Sequence, residues 1–98
     1  MSNDADLLDQ QGRGQVALQL LENELLKEAL DAIDREVMEQ WIGCPARDKE
    51  GKEALWQLIK TSRKFREVLT GYIDTGKLAA HKLKQYEEQG RIAKLFRQ

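Results

Sequence analysis

The sequence has one cysteine, one proline, one histidine and six aromatic residues among 98, and each scarcity closes off a class of protein. A lone Cys44 forms no internal disulfide, and a free thiol suits a reducing compartment, so a cytoplasmic setting is expected. With Pro45 as the single proline, long stretches run free of the strongest helix breaker. The single histidine, His81, has Leu78 three residues before it, which is not the Glu-x-x-His pairing that holds metals inside helical bundles. A solvated histidine beside Lys82 and Lys84 is the expectation instead. No run approaches the roughly 18 uninterrupted apolar residues that span a bilayer. Met1 to Gln11 has no basic residue and no apolar run, unlike a secretory or mitochondrial leader. With no nucleophile, base and metal set brought together by the sequence, no catalytic residue, metal ligand or cofactor is assigned, and no enzyme is expected.

Charged residues are abundant but balanced overall: 16 Lys plus Arg stand against 17 Asp plus Glu, for a net charge of -1. The balance conceals a division. Residues 1–56 hold 13 acids and 6 bases, a difference of -7, whereas residues 57–98 hold 4 acids and 10 bases, a difference of +6. One end is acidic and the other basic.

The apolar residues are arranged for helices. Residues 1–14 contain one apolar pair, Leu7-Leu8, and end in Gly12-Arg13-Gly14, which reads as a flexible or weakly helical arm. Residues 15–98 read as a single helical domain. Over 15–42 the apolar residues fall as doublets, Leu20-Leu21, Leu25-Leu26, Ala29-Leu30, Ala32-Ile33, Val37-Met38 and Trp41-Ile42, at the three- to five-residue steps of a helix with a broad apolar stripe. Gly43-Cys44-Pro45 stops it, and a short polar turn follows. A second helix over 48–75, with Asp48 as N-cap, carries Leu55, Leu58, Ile59, Phe65, Val68, Leu69, Tyr72 and Ile73. A short loop between helices makes them antiparallel. A third, C-terminal helix is expected after a boundary or bend near Thr75-Gly76. The fold class is therefore all-α, an antiparallel hairpin with a third helix.

A domain of this size is marginal alone, and a stripe two residues wide exceeds what one neighbouring helix covers. Completion into a bundle by self-association is the expectation, with Leu20, Leu25, Ala29, Trp41 and Trp56 as candidate interface residues. Trp56 is the candidate anchor, because tryptophan is enriched among residues that dominate binding energy. The run Glu22, Glu24, Glu28, Asp31, Asp34, Glu36 and Glu39 reads as a solvated face, or as a docking surface for a basic partner.

Two further patterns are weighed against simpler readings. Gly71-Tyr72-Ile73-Asp74-Thr75-Gly76-Lys77-Leu78 comes within one residue of a phosphate-binding loop, but Leu78 stands where a magnesium-binding hydroxyl belongs, and helical periodicity precedes it where a strand is needed. The basic residues Lys60, Arg63, Lys64, Lys77, Lys82, Lys84, Arg91, Lys94 and Arg97 are candidate nucleic-acid contacts. They also suit the acidic first helix of a neighbouring copy.

The block Ala46-Arg47-Asp48-Lys49-Glu50-Gly51-Lys52-Glu53-Ala54-Leu55-Trp56-Gln57-Leu58-Ile59-Lys60, followed by Thr75-Gly76-Lys77-Leu78-Ala79, resembles short helical proteins of bacteriophages and prophages, often encoded near head-assembly genes. The resemblance spans about residues 20–85 and includes no catalytic signature. It implies a structural or accessory role in a bacterial host cytoplasm or a virion. The functional expectation is a non-enzymatic, oligomeric interaction protein; the alternative is a small nucleic-acid-associated regulator or packaging accessory that uses the basic second half.

Overall fold

The structure, a computed structural model, describes the backbone of residues 4–95 and the side chains of residues 4–90. The described residues form three α-helices, α1 (Asp4–Glu22), α2 (Glu24–Gly43) and α3 (Lys49–Leu95), with no strand among them. The all-α class is as expected; several boundaries are not.

The segment read as a flexible or weakly helical arm is helical from Asp4 onward. Asp4 and Asp6 lie in the first turn, where carboxylates offset the exposed amides of a helix start. The side of α1 that is buried carries Leu7, Gly14 and Ala17. Two of these three are too small to register as an apolar stripe, so the pattern looked empty. Glycine, counted as a breaker in the sequence, here permits close packing.

The helix expected over 15–42 is interrupted at Asn23. Its backbone is extended (φ -68°, ψ 122°), and its side chain accepts a hydrogen bond from the Leu26 amide at 3.0 Å. Asparagine competes with its own helix by bonding a free amide three residues on, and so starts a new one. The Asn23 amide meanwhile donates to the Leu20 carbonyl at 3.1 Å, closing the last turn of α1. At the other end, α2 stops at Gly43 as the Gly-Cys-Pro sequence predicts.

Contacts divide the chain into two compact units, one formed by Met1–Leu18 with Leu69–Gln98 and the other by Gln19–Val68. In the second unit, α2 and the first part of α3 run antiparallel. The Asp48 carboxylate caps α3 by accepting from the Gly51 amide at 2.9 Å. Lys52 reaches back to the end of α2, donating to the Trp41 carbonyl at 3.3 Å, and its ammonium lies 4.2 Å from the centre of the Trp41 ring. A cation at a helix C-terminus opposes the negative end of the helix dipole, and here it shares the Trp41 carbonyl with the Cys44 amide, which donates to it at 3.2 Å. Leu30, Val37 and Leu55 are the buried apolar residues of this unit.

In the first unit, α1 crosses α3 at two glycines. A methyl group added at Gly14 would lie 2.8 Å from the Tyr72 carbonyl oxygen and 2.9 Å from the Gly76 Cα, and one added at Gly76 would meet the Gly14 Cα at 2.9 Å. Both glycines keep negative φ, so it is proximity that selects them, not backbone freedom. Leu7, Ala17 and Ala79 are buried around the crossing. The boundary expected near residues 75–76 does not exist: α3 passes through Gly76 without a break. Glycine inside a helix costs about 1 kcal/mol relative to alanine, and the packing that its missing side chain allows offsets that cost.

Candidate functional site

Polar and aromatic residues of the second unit converge where α2 and α3 face each other. Asp34 projects from α2 into a polar lock: one carboxylate oxygen accepts from the Ser62 hydroxyl at 2.9 Å, the other from the Arg66 guanidinium at 2.7 Å. Arg66 also reaches Asp31 at 3.7 Å. Ser62 is buried, and its hydroxyl is satisfied by this bond. The fold-back thus sets Asp34 level with Ser62, close to the register of Ile33 with Thr61 that an antiparallel hairpin centred near Arg47 requires.

The Arg66 hydrogen bond holds the Asp34 carboxyl below the usual carboxylate range, against the opposing effect of burial and with help from Ser62. A carboxylate with a lowered folded pKa contributes stability that is present above its unfolded value of about 3.9 and is lost as pH falls through the folded value. Asp34→Asn will therefore lower the urea midpoint at pH 7 and flatten the acid limb of the stability profile below about pH 4. Because the Asp34 side chain is 45% exposed, the neutral-pH loss will stay near or under about 1 kcal/mol. Urea titrations of both chains from pH 2 to 7 measure it. Parallel acid limbs would show that Arg66 does not hold this carboxylate.

Beside the lock lies an open groove of about 480 Å³ lined by Met38, Trp41, Trp56, Ile59 and Arg63, with Asp34 and Arg66 at its polar end. Trp41, a candidate interface residue, is half-buried, and Trp56 is 42% exposed with the Lys60 ammonium 5.4 Å from its ring centre. The fold brings the two tryptophans of the hairpin end into one groove, a pairing that sequence separation alone did not specify. Of the other candidate interface residues, Leu25 is 72% exposed, Leu20 is 44% exposed and Ala29 is exposed.

The described basic candidates divide between the two units, Lys60, Arg63 and Lys64 in the second and Lys77, Lys82 and Lys84 in the first. Lys60 stands over Trp56 and Arg63 lines the groove. Lys64, Lys77 and Lys84 are exposed, and Lys82 is half-buried. The side chains of Arg91 and Lys94, and Arg97 altogether, lie outside the described residues. His81 is exposed. The stretch Gly71 to Leu78 that resembles a phosphate loop is helical throughout, so its amides are spent on the helix ladder. Cys44 is half-buried in the turn, its thiol directed at Asp48 and Pro45 oxygens at 3.7–3.9 Å. Among the described residues, no three His, Cys, Asp or Glu side chains gather as a metal site, and no helix is long and apolar enough to cross a membrane.

Comparison with protein families, curated proteins and solved structures gives no match.

Proposed function

We propose that the chain is a non-enzymatic helical interaction protein that works as an oligomer, an assembly or accessory factor of the kind its resemblance to phage and prophage proteins implies. The observation that carries this reading is the imbalance between buried and exposed apolar residues. Among the described residues, six apolar side chains are buried, none larger than leucine and two of them alanine, while fifteen large ones, from Leu8 to Tyr86, are more than 40% exposed. Scattered apolar residues on a surface need no explanation; a surplus of this size does.

The experiment is absolute mass by light scattering after size exclusion, at low and high salt, with and without a DNA duplex. The expected result is an oligomer that persists in high salt and ignores the duplex, since apolar association does not weaken with salt. A monomer throughout the accessible concentration range would sink the reading. A monomer that shifts with DNA only at low salt would transfer the function to the basic second half, because phosphate contacts are lost steeply as salt rises.

A further inference from the structure

The tryptophan groove keeps large side chains in water beside a seam that could have buried them. Trp56 is 42% exposed and Met38 is 54% exposed, and with the half-buried Trp41 and Ile59 they line the open volume of about 480 Å³. Tryptophan and methionine are over-represented where one protein grips another, the first for its area and the second for its adaptable shape. Along α2 the lining runs from Asp34 to Trp41, which is about 10 Å at 1.5 Å per residue. That is also the span from i to i+7 on a single helix, the spacing of the apolar anchors of a helix laid in a groove.

The charges around the groove are mostly of one sign. At 100° per residue, the arc of α3 that turns outward from Arg66 through Ile59 and Trp56 to Lys60 carries Lys49, Lys52, Lys60, Arg63 and Arg66 against Glu67. On α2, Asp34 is the one acid of the lining, and both it and Asp31 are held by Arg66. Glu36 and Glu39, the other acids between Asp34 and Trp41, lie about 160° and 140° round the helix from Asp34. Arg63 acts on the Asp34 carboxylate through space, but both carboxylate oxygens are taken, by Ser62 and Arg66. Lys52 and Lys60 hold their ammoniums 4.2 Å and 5.4 Å from the Trp41 and Trp56 ring centres. An aromatic floor rimmed by cations is complementary to an apolar stripe flanked by carboxylates. The two lysines stand over the rings, where a stacked nucleobase would have to lie, and this favours a peptide over a nucleic acid. The chain's own acidic helices, α1 and α2, already turn buried apolar residues toward α3, so the occupant comes from another protein.

We infer that the tryptophan groove is the docking site for an acidic amphipathic helix of a partner protein. Apolar side chains of that helix enter between Met38, Trp41, Trp56 and Ile59, and its flanking carboxylates meet Arg63 and Lys60. This goes beyond the oligomeric reading and does not rest on it.

The test titrates the full chain with a synthetic, tryptophan-free peptide that carries leucines at i, i+4 and i+7 among glutamates. Tryptophan emission reads the binding, and it arises from Trp41 and Trp56 alone. The expected result is a saturable blue shift, with affinity at least about tenfold weaker when the peptide's glutamates become lysines or its leucines become alanines. Arg63→Glu and Lys60→Glu are each expected to weaken binding about tenfold, with helix content followed by circular dichroism. Lys60 is exposed and bonds to no part of the lock, so its variant remains folded even where Arg63→Glu does not. No shift at about 1 mM peptide, or a shift that neither variant weakens, would overturn the docking site. Emission quenched by oligothymidylate and unmoved by the peptide would overturn it in favour of a nucleic acid. An emission maximum that moves with the chain's own concentration would place a second copy in the groove, overturning the partner helix while leaving the oligomeric reading standing.

Discussion

Gly76→Ala will destabilise the protein by about 1–3 kcal/mol, although alanine is the better helix former by about 1 kcal/mol. The added methyl would lie 2.9 Å from the Gly14 Cα and 3.1 Å from the Gln10 carbonyl oxygen. Both are backbone atoms of another helix, so no side chain can swing aside to make room. The same substitution at Gly71, five residues earlier in the same helix, meets nothing within 4 Å, and there the gain in helix propensity stands unopposed. Gly71→Ala is therefore expected to stabilise by about 0.5–1 kcal/mol. Thermal unfolding followed by circular dichroism separates the two, since each kcal/mol moves the midpoint by about 4–8 °C in a chain of this size. Midpoints that rise for both variants would show that α1 does not cross α3 at this glycine pair.

The second large effect is expected at Leu55, which is 8% exposed at the seam between α2 and α3. Leu55→Ala leaves a cavity between Leu55's neighbours in a core with few other buried side chains, and will cost about 2–4 kcal/mol. Leu58→Ala, three residues on and 51% exposed, will cost under about 1 kcal/mol at protein concentrations where single chains dominate. On the proposed oligomeric reading its cost will grow at higher concentrations, because a residue covered by a second copy stabilises through mass action. Urea unfolding at two protein concentrations shows both behaviours. A Leu58 effect that equals the Leu55 effect and does not depend on concentration would place Leu58 in the core of the single chain.

The Gly76 and Leu55 variants probe packing of different legibility. Leu55 belongs to a run of large apolar residues at three- and four-residue spacing, and that run announced a helix and one of its faces. Gly14, Ala17, Gly76 and Ala79 announced nothing, because small residues score as neutral or as breakers until another backbone is seen to pass over them. The same blindness made residues 4–14 look like an arm and Gly76 look like a boundary. Asn23 was concealed for a different reason. Set among apolar doublets it reads as a wet position on a helix, and only its extended backbone and its bond to the Leu26 amide show that it starts α2. The candidate site was partly legible: Trp41 and Trp56 were named as candidate interface residues and both line the groove, but the lock of Asp34 with Ser62 and Arg66 was not foreseen. Periodicity locates an apolar stripe on a helix, and it does not say which edge of a wide stripe the neighbouring helix covers.

By itself, then, the sequence determined the all-α class, the turn at Gly43-Cys44-Pro45, the Asp48 cap and the presence of more apolar surface than two helices hide. These follow from local rules, in which a cap, a breaker or a 3.6-residue period acts within a few neighbours along the chain. Only the tertiary structure decided that α1 is ordered against a glycine in α3 and that Asp34 locks onto Ser62 and Arg66. Each of these depends on residues between 28 and 62 positions apart coming within a few ångströms, and side-chain spacing along one helix contains no information about the rotation at which another helix meets it.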